Sequence, residues 1–224
     1  MFAALITALV EFWPDLQKAF FDTLLMVGVT MFFAILIGTP LGLFLFLTER
    51  GGLAAAPNLH RVAGYVVNAL RSFPFIILMV VLIPLARIVV GTSIGPKAAA
   101  LSLSVAAIPF FARMVEQNLR EVPRGLVDAA LACGASTRQV IRYVLVPEAM
   151  PGLIGSVTVT TIGFIAYSAV AGAIGAGGLG DLAIRYGYYR FETSVMVWCV
   201  IIMFLLVQVV QWFGTWLGRR LDRR

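Results

Sequence analysis

The chain has 224 residues, 61% of them hydrophobic and only 12% charged, with a net charge of +6. A soluble domain carries about 25% charged residues, so this composition excludes a globule that covers itself with polar surface and points to the membrane. Two separated cysteines, Cys133 and Cys199, and a single histidine, His60, exclude a zinc site and a disulfide framework.

The N-terminal flank carries Glu11, Asp15, Lys18 and Asp22. This is not the basic start and short apolar core of a cleavable signal peptide. Residues 23–48 then hold no charge, enough for the roughly 20 residues that cross a bilayer as a helix. The first span is read near 20–48. Inside it, Gly38-Thr39-Pro40-Leu41-Gly42 brings a small-xxx-small spacing together with a proline. That pattern serves close helix packing or a break in a pathway helix.

Residues 61–113 are apolar but interrupted by Arg71, Arg87 and Lys97. The uncharged stretches 72–86 and 98–112 are 15 residues each. Flanking Arg and Lys extend short spans by snorkelling, which gives spans near 62–87 and 97–113. Pro74, Pro84 and Pro109 punctuate them, each removing a backbone donor.

Residues 113–148 form the long polar segment between spans, with five arginines and four acids. It is nearly neutral, so it is not a polybasic lipid-binding tail. Pro123 suits a first helical turn, and Leu126, Ala129, Ala130 and Cys133 fall on one face. Gly134 fits the position just past a helix end. Ser136-Thr137-Arg138-Gln139 reads as a capping box opening a second helix. Val140, Ile141, Val144 and Leu145 form its apolar stripe, Arg138 and Arg142 lie on another face, and Pro147 is expected to end it. Three readings stay open for this pair of helices. It is an interfacial loop on lipid headgroups, a helix-turn-helix DNA reader, or a docking element for a cytoplasmic partner. Tethering at both ends and near-neutral charge count against DNA.

Residues 149–180 and 193–218 are again uncharged, giving spans near 149–176 and 193–218. Between them, Gly175-Ala176-Gly177-Gly178-Leu179-Gly180 formally matches GxGxxG. A dinucleotide site needs a strand before that motif, whereas here it follows a long apolar segment and reads as a turn. The chain ends in Arg219, Arg220, Arg223 and Arg224. Under the positive-inside rule the acidic N-terminus lies outside and the C-terminus in the cytoplasm. Opposite termini need an odd number of spans. Five spans divide the 17 Lys and Arg into 12 cytoplasmic and 5 external. The expected fold is therefore all-α: a polytopic membrane protein of five transmembrane helices forming one domain, with two short helices in a cytoplasmic loop at 114–148.

Several chemistries are missing. Only Lys18 and Lys97 are present, and neither follows the glycine spacing of a phosphate-binding P-loop. The spans lack the paired Asp, His cluster or Ser-base set of an intramembrane hydrolase. Their middles hold no Asp, Glu or His, although a proton-coupled carrier wants an intramembrane acid. The chain reads as a non-enzyme without a metal or cofactor of its own.

The stretch from Asp128-Ala129-Ala130 through Gly134-Ala135-Ser136-Thr137-Arg138-Gln139-Val140-Ile141-Arg142 to Val146-Pro147 resembles the EAA motif of ABC importer permeases. Asp128 stands where the family more often has Glu. Further stretches, Arg71–Leu78, Val90–Gly95, Pro109–Glu116 and Gly175–Gly180, together look like the methionine-importer permeases. The resemblance implies a multi-pass permease of the bacterial inner membrane, working as a homodimer with two ATPase subunits and an extracytoplasmic methionine-binding protein. ATP and Mg would be bound by the ATPase, and no nucleic acid is involved. L- and D-methionine are the implied cargo, moved by alternating access. Outside the resemblance, the alternative is a secondary transporter or channel for another small polar solute.

The resemblance assigns ATPase coupling to Asp128, Ala129, Ala130, Gly134, Ala135, Ser136, Thr137, Arg138, Gln139, Ile141, Arg142 and Pro147. Asp181, Arg185, Tyr188, Tyr189 and Arg190 become candidates for contact with the binding protein. Polar residues within the spans, Asn68, Arg71, Ser102, Ser104, Tyr167 and Ser168, are candidates for the substrate path.

Overall fold

A computed structural model describes residues 2–221, with side chains from residue 5 on. Arg223 and Arg224, counted above with the cytoplasmic charges, lie outside the described residues. Among those described, every regular element is helical. The helices are α1 (Phe2–Glu11), α2 (Trp13–Thr48), α3 (Pro57–Ser72), α4 (Phe75–Val81), α5 (Ile83–Val90), α6 (Pro96–Arg120), α7 (Arg124–Ala132), α8 (Thr137–Gly172), α9 (Gly178–Leu182) and α10 (Thr193–Leu221). A wide turn, Ala183–Tyr188, continues α9.

Four of these helices, α2, α6, α8 and α10, are long and apolar enough to cross a membrane, and α3 with α4 makes a fifth span if the bent pair counts as one. The bend between α3 and α4 is 100°. Its cause is local. Pro74 has no N–H to donate, and its ring pushes Phe73 away from helical geometry. The expected span at 62–87 is therefore three helical pieces, with a second interruption just ahead of Pro84.

Two further expectations change. The third span, α6, does not end at Arg113 but runs on to Arg120, because the charges that close its apolar stretch are paired with one another. Pro147 does not end a helix either: α8 continues through it to Gly172. The turn just before it, Ile141–Leu145, is a π-helical widening in which Val146 N–H reaches back to Ile141 O. The same device, Ala34–Gly38, precedes Pro40 in α2. A π-turn absorbs the missing donor and the ring of a proline without breaking the helix.

The chain gathers into two compact units. One holds the residues up to Phe32, Phe73–Ala106 and Thr161–Gln211; the other holds Phe33–Ser72, Ala107–Thr160 and the residues from Trp212 on. Each of the four long helices contributes to both. In the first unit, Leu16 and Ala19 of α2, Leu179 and Leu182 of α9, and Val195 and Cys199 of α10 form a buried cluster. Trp198 Nε1 donates to Leu5 O at 2.9 Å and holds α1 to α10. In the second unit, α2 meets α6 at glycines: a Cβ on Gly38 would lie 3.0 Å from Ile108 O, and one on Gly42 2.7 Å from Val115 Cβ. Small residues permit this approach, and dispersion at short range holds such helices together in lipid. Asn118 Nδ2 joins α6 to α8 by donating to Ser156 Oγ at 2.7 Å.

Candidate functional site

The loop between α6 and α8 is built by strong local signals. Pro123 stands at the N-terminal boundary of α7. At the other end, Gly134 has φ +81°, Gly134 N–H donates to Leu131 O at 2.9 Å and Ala135 N–H to Ala130 O at 3.1 Å. This is a Schellman closure, and it needs the left-handed residue that glycine supplies. Four residues after α7, the next helix opens: Gln139 Oε1 accepts Ser136 N–H at 2.8 Å, the return bond of a capping box, and also accepts the Ser136 hydroxyl.

Burial divides the loop into an anchored and a free part. Val122 before it and Val140 and Leu145 in the second helix are buried. In α7 nothing is buried. Leu126 and Leu131 are 45% and 41% exposed, so two leucines, about 140° apart round the helix, are left without cover from their own chain. Arg138, Gln139 and Arg142 are exposed beside it. Tyr143, which the sequence did not single out, is 69% exposed and lies 5.9 Å under the Arg142 guanidinium.

The candidate path residues separate by environment. Asn68 and Arg71 are exposed on α3. Asn68 Oδ1 accepts Arg113 Nη2 at 3.1 Å, and the Arg71 guanidinium lies 5.8 Å over the Phe110 ring. Asn68 and Arg113 line a cleft of 590 Å³ with Glu49, Arg50, Pro57, His60, Arg61, Gly64 and Tyr65. Ser102, Ser104 and Ser168 are buried, and each hydroxyl donates to its own helix backbone: to Ala98 O, Ala100 O and Ile165 O. Such back-bonding satisfies the hydroxyl locally. Tyr167 stacks in an aromatic group with Phe75 at 4.9 Å and Phe164 at 5.3 Å.

An acid that the sequence reading placed in the loop is buried in a span helix. Glu116 of α6 is 2% exposed. Its Oε2 accepts Arg113 Nη1 and its Oε1 accepts Arg120 Nη2, both at 2.6 Å. Glu116 lies one turn from the C-terminal end of α6, past the expected span 97–113, and not in the middle of a span. Spacing carried the signal: Arg113, Glu116 and Arg120 stand three and four residues apart, on one face of a helix.

The glycine run Gly175–Gly180 has a packing explanation. It joins two helices, with φ of +89°, +80° and +81° at Gly175, Gly177 and Gly178. A Cβ on Gly178 would lie 2.8 Å from Met26 Cε and Thr23 Oγ1, and one on Gly180 would collide with the Ala169 backbone. Leu179 N–H donates to the Thr23 hydroxyl at 3.0 Å. Beyond it, Asp181 Oδ2 pairs with Arg185 Nη2 at 2.7 Å. Arg185 and Arg190 lie 5.5 and 4.6 Å over the Tyr186 ring. Tyr188 and Tyr189 are 65% and 70% exposed, and Phe191, at φ +60°, also stands out into the surroundings. Non-glycine residues rarely adopt that backbone conformation.

The family described as the binding-protein-dependent transport system inner membrane component matches residues 38–223. The "Probable D-methionine transport system permease protein MetI" of Vibrio cholerae is 46% identical over 209 residues, 93% of each chain. The D-methionine transport system permease protein MetI of Escherichia coli K12 is 47% identical over 153 residues, 68% of this chain and 70% of its own. A chain of the MetNI methionine ABC transporter, solved in inward-facing conformations, superposes with a TM-score of 0.92 at 43% identity, over 95% of this chain and 99% of that one. An amino acid ABC transporter chain, 20% identical with a TM-score of 0.75, shares the fold. The chain belongs to the binding-protein-dependent transport system inner membrane component family.

Proposed function

We infer that this chain is the permease subunit of an ATP-driven methionine importer. The observation that carries the reading is the 46% identity, along 93% of both chains, to a protein named as a D-methionine transport permease. L- and D-methionine are the proposed cargo. The whole chain acts as one permease domain of five spans, with its N-terminus outside and its C-terminus in the cytoplasm. Two copies form the pathway, and each docks one ATPase subunit. ATP and Mg bind to those partners.

The loop from Asp128 to Pro147 is the docking element. Its support is physical: α7 leaves Leu126 and Leu131 uncovered, while Val140 and Leu145 anchor the following helix. Gly134 and the Ser136–Gln139 cap fix the angle between the two. Arg138, Gln139 and Arg142 supply polar contacts around an apolar centre, the usual anatomy of an interface. Asp181, Arg185, Tyr188, Tyr189 and Arg190 meet the loaded binding protein. Asn68 and Arg71 are the path candidates whose side chains are exposed on α3; Ser102, Ser104 and Ser168 serve their own helices. ATP drives transport because it favours one arrangement of the docked loops over the other; a ligand without such a preference shifts nothing.

The test is uptake by proteoliposomes holding the permease, its ATPase and its binding protein. ATP-dependent accumulation of methionine is expected. Accumulation of another solute, with methionine left outside, would reassign the cargo. Uptake that persists with an inactive ATPase would reassign the class to a secondary carrier or channel.

A further inference from the structure

We propose that Glu116 is a positioning residue for coupling: it makes α3 move with α6 when the docked loop is displaced. The proposal rests on the reading of the 128–147 loop as an ATPase docking element. Glu116 is buried, and both its oxygens are held by arginines. Neither arginine stops there. Arg113 Nη2 crosses to α3, donating to Gly64 O at 3.2 Å and Asn68 Oδ1 at 3.1 Å. Arg120 Nη2 reaches Glu49 Oε2 at 3.2 Å, one residue past the end of α2. One carboxylate thus gathers three helices. Gly64 keeps the passage open, since a Cβ there would lie 3.2 Å from Arg113 Nη2.

Place and chemistry both argue for motion rather than for stability alone. Only residues 121–123 separate α6 from α7, so a displacement of the loop meets this network within a few residues. A buried ion cluster is weak evidence for stability, because apolar residues of similar volume often replace one without loss. Arg113 Nε is, moreover, a buried donor with no protein acceptor among the described residues. What charges add is directional register. Arg113 can hold Gly64 O and Asn68 only while Glu116 holds Arg113.

The test uses the full complex in proteoliposomes with its ATPase and methionine-loaded binding protein. The triple variant Arg113→Met, Glu116→Leu, Arg120→Met removes the ionic network and keeps its volume. Expected are unchanged assembly and melting, near-normal basal ATPase activity, and a roughly tenfold loss of binding-protein-stimulated activity and uptake, inside the 5–150-fold range of ordinary coupling between sites. A triple variant that assembles and remains fully stimulated overturns the proposal. If that variant does not fold, Glu116→Gln decides: it keeps the size of the side chain and removes the charge that holds Arg113. Reduced stimulation at normal basal activity upholds the proposal, and unchanged stimulation overturns it. A wild-type chain that never binds the ATPase fails the docking reading instead, before either variant is made.

Discussion

A methyl group added at Gly42 would sit 2.7 Å from Val115 Cβ and against the Ala112 carbonyl. Backbone has no rotamer with which to retreat, so α2 and α6 would have to part. Gly42→Ala is expected to lower stability by about 1–3 kcal/mol, the usual cost of overpacking, read as a lower melting temperature in detergent; an unchanged melt would contradict the packing. Single residues differ in how openly the sequence declares them. Gly38 and Gly42 are conspicuous by spacing, and Gly134 by the caps on either side of it. Glu116 declares itself only through its spacing to Arg113 and Arg120, because charge in a sequence otherwise suggests an exposed loop. Its burial depends on Arg113 and Arg120 from its own helix and on α3 folding over them. Ser102 and Ser168 mislead in the other direction. They are polar residues in spans, but their hydroxyls are used by the turn behind them.

Among the elements, α7 and the helix after it were legible, since Pro123, Gly134 and the Ser136–Gln139 pair are local signals. Pro147 was legible as a residue with no donor but not as a residue inside a helix. Its accommodation is decided one turn earlier, by the wide turn Ile141–Leu145. That turn carries one extra residue, and losing it would rotate Thr137–Val140 against the rest of α8 by roughly 100°, one residue's share of a 3.6-residue turn. Pro147→Ala restores the missing donor and lets the turn relax. The helix should persist by circular dichroism while the ATPase co-purifies less well. Undiminished co-purification would show that the π-turn does not set the docking geometry. The break at Ser72–Pro74 follows the same logic at the other extreme: Pro74 lacks such a turn ahead of it, and the chain bends by 100°.

At the scale of the molecule, composition declared the membrane, and charge asymmetry predicts an external N-terminus and a cytoplasmic C-terminus. What sequence cannot place is the uncovered surface, because cover comes from lipid and partner chains. Among the spans α10 is the least buried. It exposes Phe204, Trp212 and Trp216, with Arg220 lying 5.3 Å over the Trp216 ring near its end. That is the arrangement of an aromatic belt and a snorkelling cation at an interface. The two cysteines report the orientation directly, since Cys133 is exposed in the loop and Cys199 is buried. A membrane-impermeant maleimide should label Cys133 in inside-out vesicles and leave right-side-out vesicles unlabelled. Labelling from the outside would invert the topology.

The docking loop is the central claim, and a crosslink tests it most directly. Ala135 sits at the joint between α7 and the following helix. Ala135→Cys, in a background with Cys133→Ser and Cys199→Ser, is paired with single cysteines along the candidate groove of the ATPase in the assembled transporter. A specific permease–ATPase adduct whose yield changes on ATP addition is the predicted result. An assembled, active transporter that gives no adduct at any groove position would contradict it.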